Sequence, residues 1–362
     1  FTGAPRARRT LIFGSTMHVW SDLFFALMVP LLPIIKEDMD LSFTEVGLLR
    51  SVFNGASGVL QIPAGFLAES VGEFWMLVWG NIWVSAGLVG MAASPIFIVL
   101  LAASAIGGLG GGAQHPLASS MVSRAYDDRG RSTAVGTVNF AGDLGKMVAP
   151  VMAGLFAVAL GWRATMFIVG IAGLVFMFAS MLTRRSVDIG RPVVQTAETL
   201  EGLSESENKA QMAGFITLSG VGVLDAAVRT AALVFLPFVM DAKDMGAAQI
   251  SVMLFMLFAG GAAGKFVCGW LGDRFSTVSI IWGTKGLTAL MLVLSLITPP
   301  LAMAPLMVLT GIGLNGTSSV LYATVSDFVP ATRRARFYGF YYTTNEIGTV
   351  VAPLVYGLVA DI

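Results

Sequence analysis

The sequence contains one cysteine, Cys268, and two histidines, His18 and His115. A single thiol excludes an intramolecular disulfide and leaves Cys268 a packing role inside an apolar run. Charge is scarce as well. Only 12% of the 362 residues are charged, against about 25% in a soluble domain. Basic and acidic residues number 22 each, so there is no basic field to draw nucleic acid and no acidic excess of the kind seen in disordered chains. The glycines at 107, 108, 110, 111 and 112 follow no strand and precede no Gly-Lys-Ser, which excludes a phosphate loop. With no metal cluster and no nucleophile–base arrangement either, the chain is expected to be no enzyme and to carry no cofactor.

What remains is apolar surface. Hydrophobic residues make up 56% of the chain, and a bilayer-spanning helix needs about 20 mainly apolar residues. That rule predicts eleven spans, at 10–35, 43–69, 75–93, 96–123, 132–160, 163–183, 211–240, 247–272, 277–298, 301–326 and 334–361. The basic start at Arg6, Arg8 and Arg9 imitates a signal peptide. The apolar run behind it is too long, carries His18 and Asp22, and lacks a small-residue cleavage site. The one long polar stretch lies between spans six and seven. The expected division is therefore a bundle at 1–183, a cytoplasmic linker at 184–210 and a second bundle at 211–362.

The two bundles repeat each other. Gly142-Asp-Leu-Gly-Lys-Met-Val-Ala-Pro-Val-Met-Ala-Gly154 returns 203 residues later as Asn345-Glu-Ile-Gly-Thr-Val-Val-Ala-Pro-Leu-Val-Tyr-Gly357. At an offset of 204, Pro33 falls on Pro237 and Gly65-Phe-Leu-Ala-Glu69 on Gly269-Trp-Leu-Gly-Asp273. This implies an all-α polytopic membrane protein of two parallel six-helix repeats. The first repeat runs on through Trp162 to Leu182, so a twelfth helix is expected beyond the eleven visible here.

Orientation follows from Lys and Arg. A cytoplasmic N-terminus puts fourteen of them inside, among them Arg124, Arg184, Arg185, Arg274 and Arg334, against Lys36, Arg163 and Lys243 outside.

Nine ionisable groups fall within the spans: Arg50, Lys146, Arg229, Lys265, Lys285, Asp22, Asp143, Asp225 and Glu346. At 1.5 Å per residue the four acids lie roughly 16 to 21 Å into their helices, near the midplane, where such groups are costly and mark functional sites by default. His18 and Asp22, and Asp225 and Arg229, are i,i+4 neighbours, and Asp143 and Lys146 are i,i+3, so each pair shares a helix face. One reading makes them a proton relay and a substrate-charge site. The other makes them ion pairs that lock helices together. Glu346, with no basic residue within a turn, is the best candidate for a titrating carboxyl. Lys265 and Lys285 lie nearer the cytoplasmic end, where long stems can snorkel; facing a cavity instead, they would favour an anionic substrate. His115, beside Pro116, either meets substrate or satisfies carbonyls freed by a kink. Gln114, Asn139 and Tyr342 are further candidates for lining a cavity, with helix–helix contact as the alternative for each.

Two six-helix halves, a polar linker, and Gly-x-Leu-x-acid after the second helix of each half resemble the major facilitator superfamily. Gly269, Asp273 and Arg274 carry the fuller copy of that loop pattern; Gly65 and Glu69 carry a copy that has lost its basic residues. Gly145, Pro150 and Gly154, with Gly348, Pro353 and Gly357, resemble the glycine–proline pattern of the family's exporters. His18-x-x-x-Asp22, Leu60-Gln-x-Pro63 and His115-Pro116 are similar to helices one, two and four of bacterial fosmidomycin resistance proteins. The resemblance implies a proton-driven exporter of a small amphiphilic or anionic compound in the bacterial inner membrane, acting as a monomer. Asp22, Asp143, Glu346 and His18 would handle protons. Arg50, His115, Gln114, Asn139, Lys146, Asp225, Arg229 and Tyr342 would meet substrate. Uptake of an organic anion or metal chelate by the same fold is the first alternative. A membrane receptor or scaffold that moves nothing is the second.

Overall fold

A computed structural model describes residues 5–112, 114–126, 131–187, 205–272, 274–325, 328 and 334–362. Among them every regular element is a helix, as a bilayer demands of a chain whose backbone must bond to itself. The long helices are α1 (Pro5–Asp38), α2 (Phe43–Val71), α3 (Glu73–Ala92), α4 (Phe97–Gly111), α5 (Gln114–Ala125), α6 (Arg131–Ser180), α7 (Glu205–Asp241), α8 (Ala247–Gly272), α9 (Thr277–Ile297), α10 (Met303–Val325) and α11 (Arg334–Ala360). Seven of the described helices are long and apolar enough to cross a membrane by length and composition, and α4 is a shorter apolar helix.

One expected span divides differently from the sequence pattern: the fourth is shared by α4 and α5. The fifth and sixth, expected at 132–160 and 163–183, follow one another in α6 and part at its one non-helical residue, Gly161 (φ 80, ψ 168). Only glycine takes that φ without strain, and it turns the chain back for a second pass. Trp162 and Arg163 follow at once. Trp162 Nε1 donates to Asp38 Oδ2 (3.0 Å), and the Arg163 guanidinium donates to the Ala92 carbonyl (3.3 Å) at the end of α3. Pro150 and Pro353 interrupt neither α6 nor α11.

The internal repeat is visible in detail. Asp40 and Asp244, 204 apart, are the only positive-φ residues other than glycine among those described (φ 50 and 59). In the matching turns Leu41 N–H donates to Lys36 O (2.9 Å) and Met245 N–H to Met240 O (3.3 Å). A Cβ on Gly145 would strike the Val19 carbonyl and Leu23 amide of α1, and one on Gly348 would strike the Val223 carbonyl and Ala227 amide of α7. These glycines let the fifth helix of each half lie directly on the first.

The halves meet through α2 against α11 and α6 against α8. At the end that holds the α1–α2 turn the interface is closed. Phe43 packs edge-on to Phe238 of α7 (centroids 5.2 Å). Asp361 accepts from the amides of Phe43 (2.8 Å) and Thr44 (2.7 Å) at the start of α2, which satisfies two N–H groups that a helix start leaves open. Ser42 and Glu45 complete a capping box there. The apolar core at this end is continuous across both halves, joining Leu31, Leu32 and Ile35 to Met240, Ile250 and Met303. Toward the other end the core splits. One cluster around Met17, Leu77, Met121 and Val138 belongs to the first half, and another around Phe215, Leu321, Val325 and Tyr341 belongs to the second. The cleft between the halves therefore opens away from the α1–α2 turn.

Candidate functional site: the charged centre between the halves

The intramembrane charges gather where the continuous core gives way to the split one. On the first half, α1 supplies His18 and Asp22, both buried. His18 Nε2 lies 3.7 Å from Asp22 Oδ2. Lys146 of α6 reaches Asp22 (3.1 Å) and Asp143 (3.5 Å) together, so it joins two acids that the sequence spacing assigned to separate pairs. Asp143 is also gripped by Lys265 of α8, whose Nζ is 2.6 and 2.7 Å from the two carboxylate oxygens. That contact crosses between the halves.

On the second half the expected Asp225–Arg229 pair does not form. Asp225 pairs with Lys285 of α9. An i,i+4 spacing places two residues on one face, but a lysine entering from the neighbouring helix reaches the buried carboxylate more directly. Lys265 and Lys285 thus turn inward to acids and do not snorkel. Arg229, released from Asp225, makes no ion pair with any described residue. It lies near Tyr322 of α10 and Lys146 of α6. Tyr322 stacks on Tyr342 of α11 (centroids 4.7 Å, interplanar 25°) and meets Tyr341 edge-on (5.5 Å). Tyr342 is 46% exposed.

Glu346 of α11 has no cationic partner within 4 Å among the described residues. Gln61 Nε2 of α2 donates to its Oε1 (3.3 Å), and Thr349 Oγ1 donates to its Oε2 (2.6 Å). Asn54 of α2 donates to the Thr349 carbonyl (3.0 Å). Arg50, buried on α2, donates to the Phe25 carbonyl (2.9 Å), lies over the Phe53 ring (5.5 Å) and is within electrostatic reach of Glu346.

Gln114, expected to line the cavity, is fully buried between α3 and α5. It accepts from Asn81 (2.9 Å) and donates to the carbonyls of Leu77 and Gly110 (3.3 Å each). Its place is explained by the Asn81 amide opposite, which has no water to turn to. Asn139 is exposed one turn from Asp143 on the same face and accepts from Ser119 (3.5 Å). Asp273 lies outside the described residues, as do the side chains of His115 and Glu69; Gly65 and Gly269 lie in the last turns of α2 and α8. In the second loop motif Arg274 sits over the Trp270 ring (4.0 Å). In the first, Glu73 pairs with Arg124 of α5, so the loop that lacks its own basic residues borrows one from another helix. Gly154 and Gly357 mark close approaches between halves, to Ser251 of α8 and to Phe43 and Thr44 of α2.

Gln61 and the inward turn of Lys265 were missed as site residues. The signal was present, because residues 61 and 265 align at the same offset of 204 that relates Pro33 to Pro237.

Comparison with known proteins places this arrangement. The chain is 23% identical to the fosmidomycin resistance protein of Escherichia coli over 356 residues, covering 96% of this chain and 85% of that protein. It is 20% identical to the hexuronate transporter of Bacillus subtilis over 353 residues, covering 91% and 82%. It shares the fold of a bacterial homologue of the human lysosomal transporter Spinster, solved inward-facing and occupied, with a TM-score of 0.81 and 20% identity over 98% of this chain and 82% of that one. The family model of the Major Facilitator Superfamily matches residues 15–213 and 218–362. The chain is a multi-pass membrane protein that belongs to the Major Facilitator Superfamily.

Proposed function

We propose that the protein exports a small organic anion across the bacterial inner membrane in exchange for protons, by alternating access. The halves 1–183 and 211–362 would rock about the charged centre. With the N-terminus in the cytoplasm, the closed end is the outer one and the cleft faces inward. The observation that carries the anion reading is Arg229. Each of the four other membrane-depth cations is engaged: Lys146 by Asp22 and Asp143, Lys265 by Asp143, Lys285 by Asp225 and Arg50 by the Phe25 carbonyl. Arg229 alone among these has no such partner in the described residues, and it lies within electrostatic reach of Tyr322, which stacks on Tyr342. A guanidinium beside aromatic rings suits a carboxylate or phosphonate on a compact organic body.

Proton exchange is assigned to a carboxyl of this centre. Asp22, Asp143 and His18 form one network with Lys146 and Lys265, while Glu346 faces only neutral hydrogen-bond donors at close range. Protonating a carboxylate releases its partners and shifts the balance between the two facings of the cleft. The glycine–proline helices and the likeness to a resistance protein support export. The likeness to a hexuronate transporter favours a second reading, in which the same site takes up an organic acid with protons.

The test is a ligand-stabilisation screen across phosphonates, sugar acids and aromatic acids, followed by flux in proteoliposomes with imposed pH gradients. Stabilisation by anions that is lost in Arg229→Gln, together with flux whose direction follows the opposing proton gradient, is the expected result. Anion binding unchanged in Arg229→Gln contradicts the assignment of the anion site.

A further inference from the structure

Two contacts cross between the halves at equivalent places. Lys265, on the second helix of the second half, reaches Asp143 on the fifth helix of the first. Gln61, on the second helix of the first half, reaches Glu346 on the fifth helix of the second. The offsets are 204 for the second-helix residues and 203 for the acids, so the duplicated fold builds the same bridge twice and fills it differently. One copy is an ammonium on a carboxylate, and the other is an amide on a carboxyl.

The difference has a chemical consequence. An ammonium has three donors and no acceptor, so it satisfies a carboxylate and leaves a protonated acid without an acceptor for its proton. A glutamine amide serves both states. Its NH2 donates to the carboxylate, and after a turn of the amide its carbonyl accepts from the protonated acid. The other groups facing Glu346 do not override this. Thr349 Oγ1 donates or accepts as required. Arg50 lies on α2 within electrostatic reach but is committed to Phe25 and beyond ion-pair distance. Tyr322 of α10 is a neutral hydroxyl nearby. Asp143, by contrast, meets Lys265 from α8 and Lys146 on its own helix, with Asp22 and His18 of α1 behind Lys146.

We propose that Gln61 is the positioning residue that makes Glu346 the proton-exchanging carboxyl, while Lys265, its counterpart, holds Asp143 charged through the cycle. The identity of residues 61 and 265 thereby decides which half carries the proton. This rests on the proton-coupled reading above and specifies where that coupling resides.

The test uses the purified chain in proteoliposomes, in a Cys268→Ala background with one reporter cysteine at Leu67, on the open side of α2. Maleimide labelling rate, taken relative to that of a free cysteine at the same pH so that the thiol's own titration cancels, is measured from pH 5 to 9. Wild type is expected to show one titration step that disappears in Glu346→Gln. Gln61→Lys is expected to flatten the profile while the protein stays folded, because a lysine holds Glu346 charged as Lys265 holds Asp143. Gln61→Glu, which returns an acceptor but adds a second acid, should move the step toward higher pH. Lys265→Gln should add a second step from Asp143; if that variant does not fold, the Gln61 pair decides alone. A Gln61→Lys profile that titrates as wild type does overturns the inference while leaving proton coupling standing. A flat wild-type profile, with flux insensitive to a pH gradient, overturns the coupling itself and this assignment with it.

Discussion

Lys265 Nζ sits 2.6 and 2.7 Å from the two oxygens of Asp143, 122 residues earlier in the chain, and so ties α8 of one half to α6 of the other. Asp143 is largely buried and the lysine about one-third exposed (side chains 11% and 32%). Removing one partner of a fully buried pair costs ~3–5 kcal/mol; partial solvent screening lowers the expectation here to about 2 kcal/mol. Asp143→Asn should therefore lower the thermal midpoint in detergent. Asp143→Asn combined with Lys265→Met should recover part of the loss, since no cation is then left unpaired at that bridge. Additive losses in the double variant would show that the two side chains do not act as a pair.

Gln114 is a packing residue on this account. Gln114→Leu leaves the Asn81 amide with poorer partners and should cost about 1–3 kcal/mol. Substrate affinity measured on the surviving folded fraction should be unchanged. Arg229→Gln should do the reverse, weakening anion binding with little change in thermal midpoint. Paired binding isotherms and melting curves separate the two behaviours.

The closed end depends on backbone contact. A Cβ on Gly47 of α2 would strike the Pro353 carbonyl and Leu354 of α11. Because the opposing atoms are backbone, they cannot swing aside. Gly47→Leu should hold this end apart, so that a cysteine placed at Leu354 in a Cys268→Ala background labels several-fold faster than it does with Gly47 intact. An unchanged labelling rate would show that the closure does not depend on this contact.

Asp361 gives the same end a pH dependence. The Thr44 hydroxyl, opposed by some desolvation and aided by the Thr44 and Phe43 amides and by Lys36, holds its carboxyl below the ordinary carboxylate range. A depressed pKa in the closed form means that the anion favours closure. That contribution is complete above the usual carboxylate value of about 4 and is lost as pH falls through the depressed one. Measured relative to a free cysteine at the same pH, the Leu354 cysteine should therefore stay protected from neutral pH down to about 5 and lose that protection only in stronger acid. In Asp361→Asn its relative reactivity should be higher and independent of pH over the same range.

Much of the architecture was legible because a bilayer leaves few options. Runs of about 20 apolar residues become helices, and the 203- and 204-residue offsets gave the duplication. Pairings between helices were not legible. The i,i+4 rule put Asp225 with Arg229, but a helix face is only half of a contact, and Lys285 arrived from α9. Likewise Lys146 spans Asp22 and Asp143 because α1 and α6 touch at Gly145, a contact that spacing along one helix cannot reveal. The turn at Gly161 was legible, since it falls in the gap between the spans expected at 132–160 and 163–183. Gln61 looked like a family motif residue until its carboxyl partner on α11 was known.

The central claim is that moving the substrate moves a proton through Glu346. The direct measurement is proton flux, read by a pH-sensitive dye trapped in proteoliposomes, on adding an anion that the stabilisation screen identifies. Wild-type protein should acidify or alkalinise the lumen in step with the anion. Glu346→Gln should bind the same anion and exchange it across the membrane with no proton signal. Proton movement in Glu346→Gln equal to that of wild type would contradict the account.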